Sequence, residues 1–368
     1  SRKQLAEATG ASAATVSRTV DQLLADGLVH EGSELVAERR GRREVLLDVE
    51  PGIGACLGID LGGSRTRVVV VDATSAPIAV ADVATRTDLD ARALGAWIAS
   101  LARDVASDAW GRVRAAAIGL PGAVAHPGRA VSNAPNLPQI EEHAFFDAVE
   151  RAFDVPVACD NDANFALLGE QVFGAAVDAD SAAMVTIGAG LGVGLSIDRT
   201  LVRGRRGIVG EFGQLPAGPG GELLESVVTG PGILARAAAV GAPLEAPADL
   251  FSAGTPASLA PVRAEFDHAL RVLLAAVAVS CDPDVIVLGG GIAKSLRDEL
   301  PRLQEALDRT LPEAPRLVGA ALGDMSGAAG AAAAALHMLY EQLGVDRRDL
   351  AGLPAPGALT AASLAATT

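Results

Sequence analysis

Apolar runs and apolar stripes alternate along most of the chain. Residues 55–60 (Ala55-Cys56-Leu57-Gly58-Ile59-Asp60) form a short apolar run, followed by a glycine turn at 61–64 and a second run at 65–71. Short apolar runs bounded by glycine predict buried strands; stripes with a period near 3.6 predict helices. On this basis helices are expected near 91–107 and 144–153, with strands at 115–118 and 155–159. The second half repeats the theme, with a strand at 185–187, a glycine-rich turn at 188–194, a helix at 262–280, a strand at 285–288 and an alanine-rich helix at 328–343. Alternating strands and helices predict α/β layers. A strand, glycine turn and strand in each half suggests an internal duplication.

Residues 1–50 follow another plan. Ser1-Arg2-Lys3-Gln4 fits a capping box for a short helix that Gly10 ends. Ser12 can cap a second helix, in which Val16, Val20, Leu23 and Leu24 form one stripe. Two short strands, 28–30 and 44–48, follow. Helix, turn, helix, hairpin is the plan of a winged helix-turn-helix. The polar face of the second helix carries Thr15, Ser17, Arg18 and Thr19, residue types that meet base edges and phosphates. The hairpin carries Arg39, Arg40, Arg42 and Arg43, a compact anchor for phosphates or a minor groove. A solvated docking module is the plainer alternative. A complete three-helix head of this kind would need a helix before Ser1.

Composition narrows the picture. The chain has 368 residues, half of them hydrophobic but only 3% aromatic. Its interior must therefore pack through Ala, Val, Leu and close backbone approach. The net charge of −15 excludes bulk nucleic-acid binding, so any DNA contact must be a local basic patch. Three isolated cysteines, Cys56, Cys159 and Cys281, form no disulfide framework, which suits a reducing cytoplasm. No apolar stretch is long enough to span a bilayer. From Arg347 on, Ala, Gly, Pro and Thr dominate, and a flexible tail over 347–368 is expected.

The chemistry gathers at strand ends. Asp60, followed by Gly62, Gly63 and Ser64, suits a phosphate site with hydrated Mg²⁺; Gly188 and Gly190 could clamp the same phosphates. Gly289, Gly290 and Gly291 follow a buried strand, where an adenine face could pack. Each glycine cluster alone is weak, because most such turns are only turns. Between the first two lies Asn161-Asp162-Ala163-Asn164, two amides and a carboxylate where a strand gives way to a helix. Charge there is costly unless something binds, although capping the helix is a structural alternative for Asp162.

The ordered series Ile59-Asp60-Leu61-Gly62-Gly63, Ile118-Gly119-Leu120-Pro121-Gly122, Asn133-Ala134-Pro135-Asn136-Leu137-Pro138, Asn161-Asp162-Ala163-Asn164, Gly210-Glu211-Phe212-Gly213 and Asp282-Pro283-Asp284-Val285-Ile286-Val287-Leu288-Gly289-Gly290-Gly291 resembles the ROK family of sugar kinases and sugar-responsive repressors over about residues 55–345. The winged helix resembles the repressor branch. The resemblance implies a two-lobed actin-like ATPase (sugar kinase) fold behind the head of residues 1–50. One lobe would span 55–167, completed by the helix at 328–343, and the other 168–327. It implies that Asn136 holds a ring hydroxyl and that Asp162 is the base toward an attacking hydroxyl. Glu211, Glu225 and Asn161 would complete a sugar site, together with Gln214, which stands where the family has histidine.

That glutamine changes the metal expectation. In the family the histidine and three cysteines of the next loop hold zinc. Here the loop from Leu215 to Leu224 contains neither Cys nor His, so zinc is expected to be absent. Ala189 also replaces a family threonine in the second turn, removing a hydrogen bond worth roughly 1.5–3 kcal/mol to a charged phosphate. Three readings stay open: a repressor of operator DNA, at least dimeric, that senses a sugar or polyol; an ATP- and Mg²⁺-dependent sugar kinase that also binds DNA; and a regulator with a vestigial cleft that answers to a protein partner.

Overall fold

The computed structural model describes residues 1–35, 44–125, 129–218, 220–252, 254–354 and 359–367. The first unit contains α1 (Arg2–Thr9), α2 (Ala13–Ala25) and an antiparallel pair, β1 (Val29–Leu35) and β2 (Glu44–Val49). Ser1 and Gln4 close the capping box on α1, Gly10 ends it in the left-handed region, and Ser12 caps α2 through the Thr15 amide. Val16 and Val20 face inward and are buried. Arg2 ties α1 to Asp21 at 2.9 Å and to Glu31 at 3.1 Å. Arg39, Arg40, Arg42 and Arg43 lie outside the described residues.

Two five-stranded sheets follow. The first half contains β3 (Ala55–Leu61), β4 (Arg65–Asp72), β5 (Pro77–Ala84), α3 (Ala91–Ala106), β6 (Val113–Leu120), a small hairpin of β7 (Ala123–Ala125) and β8 (Ala130–Ser132), α4 (His143–Ala152), β9 (Val157–Asn161) and α5 (Asp162–Phe173). The second contains β10 (Ala182–Ile187), β11 (Leu191–Ile197), β12 (Thr200–Leu201), α6 (Leu224–Val228), α7 (Gly230–Ala239), α8 (Ala260–Cys281), β13 (Val285–Gly289), α9 (Gly291–Ser295), α10 (Leu300–Asp308), β14 (Arg316–Gly319), α11 (Ser326–Gln342) and α12 (Ala361–Thr367). The sheet orders are β5-β4-β3-β6-β9 and β12-β11-β10-β13-β14. In each, three antiparallel strands lead into two parallel ones. The two sheets thus share one topology, and the two glycine hairpins fall at corresponding corners.

Helices α5 and α11 follow the fifth strand of each half and pack against each other. A Cβ on Gly330 would overlap the Phe165 carbonyl, and one on Gly169 the Ser326 carbonyl. Close backbone approach therefore substitutes for large rings at this seam. Glu170, fully buried on α5, accepts from the amides of Ala175, Ala321 and Leu322 and from Ser326 Oγ, at 2.7–3.0 Å. It fixes the start of α11 against α5.

The tail reading is corrected. Leu350, Leu359 and Leu364 are buried in the core around α11, His337 Nε2 lies 2.7 Å from the Leu353 carbonyl, and α12 forms. The composition of the segment is low in apolar bulk, yet a few leucines are enough to dock it. Burial pushes the thiols of Cys56 and Cys159 up to about 12 and that of Cys281 to about 11.

Candidate functional site

A cleft of about 450 Å³ opens between the two sheets, within the range of roughly 300–1,000 Å³ usual for small-molecule sites. Asp60 reaches it from the end of β3, and Gly62, Gly63 and Ser64 from the first turn. Asn136, Asn161 and Asp162 join from the first half; Gly188, Gly190, Gly290, Glu211 and Glu225 join from the second. Residues far apart in sequence thus share one wall-to-wall space.

The β9–α5 junction determines what Asp162 can do. Asn161 is the N-cap: its Oδ1 accepts from the amides of Ala163 at 2.9 Å and Asn164 at 3.2 Å, and its Nδ2 donates to the Gly122 carbonyl at 2.9 Å. Its polar atoms are engaged within the protein, so it holds the junction in place. Asp162 accepts from the Ala163 amide at 2.8 Å, which leaves most of its acceptor capacity toward the cleft. Burial and the neighbouring charge of Asp60 raise its carboxyl to about 7, opposed by the Ala163 amide and helped by Glu211. Asp60 is raised to about 6 by burial, against the lowering effect of Arg67, whose guanidinium stands 3.7 Å away. The Asp60 side chain keeps 14% exposure to the cleft, and hydration there limits the shift without changing its direction.

On the opposite wall, burial raises the Glu211 carboxyl, Asn133 lowers it and the charge of Glu225 raises it. Asn133 Nδ2 donates to Glu211 Oε2 at 2.8 Å. A Cβ on Gly190 would stand 3.4 Å from Glu225 Oε1 and 3.8 Å from Asn136 Nδ2, so these two side chains converge on the second turn. Gly63 has a packing reason of its own: a Cβ there would come within 2.8 Å of the Asn136 Cβ. Four carboxylates with amide donors between them make a surface that hydrogen-bonds neutral polyhydroxylated molecules well.

Two expected site residues are placed elsewhere. Gln214 ends a short 3₁₀ turn and is exposed, outside the cleft lining. Gly289 lines a separate recess of only 60 Å³ with Lys294 and Arg297. The β13 backbone turns Gly290 toward the cleft and Gly289 away from it. Beside that recess Lys294 Nζ pairs with Asp324 at 2.5 Å. Arg67, Asn133 and the pair of buried Asp160 with partly exposed Arg203, which meet at 2.5 Å, carry no functional signal in the sequence.

The ROK family model matches residues 56–338, a span that includes both glycine turns and every residue lining the cleft. The chain belongs to the ROK family. Its similarity to ROK proteins runs in two directions. A putative xylose repressor of Caldicellulosiruptor sp. (strain Rt8B.4) is 31% identical over 218 residues, covering 58% of this chain and 54% of the relative. The chain therefore aligns with about half the length of that relative. The ROK hexokinase of Thermus thermophilus is 29% identical, with a TM-score of 0.67 over 78% of this chain and 99% of that one. A ROK family transcriptional regulator, homologous to the Escherichia coli MLC protein, superposes with a TM-score of 0.75 over 93% of both chains at 22% identity, a likeness of fold. No helix among the described residues is long and apolar enough to cross a membrane.

In ROK terms the loop after Glu211 lacks the family's zinc donors. It is closed by backbone contacts instead: a bridge between Pro216 and Leu223, Ala217 N to Glu222 O at 2.6 Å, and Leu224 N to Leu215 O at 2.8 Å.

Proposed function

We propose that this ROK protein is a sugar-responsive transcriptional repressor. Residues 1–50 act as a winged helix-turn-helix on operator DNA, and the cleft binds a sugar or polyol effector. The observation that carries the reading is the additional N-terminal unit. A ROK regulator aligns over 93% of this chain, the ROK hexokinase over 78%. On α2, Thr15, Arg18 and Thr19 are exposed while Val16 and Val20 are buried, which leaves the polar face free for a major groove. Effector hydroxyls would donate to Asp162, Glu211 and Glu225 and accept from Asn136. A ligand that binds better to one lobe closure than another shifts the equilibrium by that difference in affinity. In a dimer or tetramer the linker at Pro51 would pass the shift to the spacing of two heads on a two-fold site.

The second reading is an active kinase, favoured by the carboxylate of Asp162 standing free at the cleft. If a nucleotide is used, the turns at Gly62–Gly63 and Gly188–Gly190 would hold its phosphates and Asp60 the hydrated Mg²⁺. Such a group would supply the phosphoryl donor, and Asp162 would orient the sugar hydroxyl. One experiment separates the readings: operator affinity at fixed salt with and without a panel of sugars, and ATP consumption on the same panel. The repressor reading expects a sugar-dependent change in operator affinity and no sugar-dependent ATP turnover. A chain that binds no DNA while turning over ATP would reverse the assignment. Replacing Arg42 and Arg43 by Ala should weaken binding to all sequences and flatten the salt dependence; Arg18→Ala should relax sequence preference more than bulk affinity.

A further inference from the structure

Asn133 follows β8 with φ of 61°, a left-handed conformation that asparagine tolerates better than most residues. The backbone on both sides of it is held. Gly122, with φ of 86°, closes on the turn so tightly that a Cβ would stand 2.6 Å from the Ser132 carbonyl oxygen and 2.8 Å from that of Asn133. The Gly122 carbonyl accepts from Asn161 Nδ2 at 2.9 Å, and the Ala134 amide donates to Glu141 Oε1 at 2.7 Å. From this fixed turn Asn133 Nδ2 donates to Glu211 Oε2, in the second half, at 2.8 Å. The segment leading to Glu211 rests on the first half at two further points. Arg203 Nε donates to Asp160 at 2.5 Å, and a Cβ on Gly207 would overlap the Val124 carbonyl. Asn133 and Glu211 both line the cleft. Beyond their mutual bond, the second N–H and Oδ1 of Asn133 and the Oε1 of Glu211 have no hydrogen-bond partner among the described residues.

We infer that Asn133 is a specificity-determining residue of the cleft: it fixes the Glu211 carboxylate from the opposite half and presents its own amide beside it, so that the two read one edge of a sugar ring together. The inference rests on the carbohydrate reading of the cleft. Glu211 shares the cleft with two other titratable groups, Glu225 on α6 and Asp162 at the start of α5. Burial and the charge of Glu225 favour its protonated form, and the Asn133 amide opposes them. A carboxylate only accepts, whereas a protonated carboxyl also donates. By holding the charged form through a charge-assisted bond, Asn133 makes Glu211 a strict acceptor in one orientation. A sugar that lacks the matching hydroxyl, or carries it on the other face of the ring, then leaves a charged acceptor unpaired, which is the costly case. A glutamate free to turn would adapt to either face.

The test is calorimetry on the full chain with neutral aldopentoses and aldohexoses and their single-position epimers and deoxy forms. The wild type should lose about tenfold or more in affinity when the hydroxyl read by Glu211 is inverted or removed, as expected for a hydrogen bond to a charged group. Asn133→Gly removes the amide and keeps the left-handed turn. In that variant the preferred sugar should bind about tenfold more weakly, and discrimination at one ring position should fall to about one while that at the other positions persists. Asn133→Asp keeps the shape and sets a second carboxylate against Glu211. Relative to the wild type at the same pH, its affinity should be lost at about pH 8 and recover toward about pH 5, where one proton shared between the two carboxylates restores the donor. A residue that only shapes the turn would not produce that profile. If the Gly variant fails to fold, the pH dependence of the Asp variant carries the test. Wild-type affinity and selectivity in Asn133→Gly overturn the inference. So does a loss that is equal at every ring position, or an Asp variant whose ratio to the wild type ignores pH. Each of these leaves the cleft reading intact, whereas a wild type that binds no sugar of the panel overturns both.

Discussion

Asp60 and Thr186 occupy the same place in the two halves of the body. Each stands one residue before the end of its half's first strand and beside a glycine on the parallel neighbour, Gly119 for Asp60 and Gly289 for Thr186. Across the antiparallel ladder Asp60 faces Arg67, whereas Thr186 faces Gly192 and donates to its carbonyl at 3.2 Å. The first half thus puts a carboxylate and a guanidinium where the second puts a hydroxyl and bare backbone. A duplicated scaffold delivers two equivalent corners to one cleft, and a few substitutions divide their tasks. One corner is charged and able to hold a cation or hydroxyl; the other is neutral, with backbone open to close approach.

The largest effect should come from breaking the seam that relates the halves. Gly330→Val would drive a side chain into the Phe165 carbonyl, and neither α5 nor α11 can retreat while Glu170 ties them together. The cost should exceed about 4 kcal/mol, the range reserved for severe overpacking. Denaturant midpoint and soluble yield measure it, and a variant with the parental midpoint would refute the account of the seam.

The next effect concerns the charged corner. Asp162→Asn keeps the shape but removes the charged acceptor, and effector affinity should fall by roughly 1.5–3 kcal/mol, the worth of a hydrogen bond to a charged group. The pH dependence has a definite sign. Unfolded, Asp60 and Asp162 lose their protons near the ordinary 3.8; folded, they hold them to about 6 and about 7. Between pH 4 and 7 the folded chain binds more protons than the unfolded one, so these two groups make stability fall as pH rises across that window. Effector affinity should move the opposite way, rising toward pH 8 as Asp162 ionises and accepts a hydroxyl. Both trends should weaken in Asp162→Asn. Calorimetry and thermal melts over pH 4–8 check them, and a mutant that keeps the wild-type profile would remove Asp162 from the site.

The neutral corner should respond less. Thr186→Val removes a single hydrogen bond to the Gly192 carbonyl at nearly constant volume. About 1 kcal/mol of stability is at stake, against a far larger consequence for effector binding at Asp162. A loss of affinity as large as that of Asp162→Asn would mean that the corners share the work equally.

What could be read from the sequence follows from the range over which each signal acts. Strands, capped helices, glycine turns and the duplicated plan are set by local pattern, and each expected element between Ala55 and Gln342 has its counterpart in the fold. Asp60 and Asp162 announced themselves because a carboxylate where a buried strand ends is locally anomalous; Asn136 was reached only through the family resemblance. Asn133 on Glu211, 78 residues away, and Arg203 on Asp160, 43 residues away, carry no local signature; only the tertiary fold pairs them. Glu170 reads as an ordinary helix surface residue, yet apart from the nearby Ala175 amide its partners lie more than 150 residues downstream. Gln214 and Gly289 sat in the expected motifs, but turn geometry directs them away from the cleft. The tail misled for another reason: its average composition hid Leu350, Leu359 and Leu364, and burial is decided by individual side chains.

The smallest expected effect is none at all. The loop from Leu215 to Leu224 contains neither Cys nor His, and backbone contacts are available to close it. The bridge between Pro216 and Leu223 and the backbone bonds at Ala217 and Leu224 join the two arms. A third bond, Gly221 N to Gly218 O at 3.1 Å, shapes the tip. Ala217, 7% exposed, and fully buried Leu224 anchor the loop to the second core. Backbone bonds of this kind are insensitive to chelators, whereas a structural zinc site gives up folding free energy when its metal is removed. Prolonged dialysis against EDTA should therefore leave the melting temperature and effector affinity unchanged, and elemental analysis of protein prepared without chelator should find no stoichiometric zinc. One zinc per chain, or a melting temperature that falls on chelation and returns with added metal, would show that donors elsewhere have taken over the task. The backbone closure of residues 215–224 would then be a consequence of metal binding rather than its replacement.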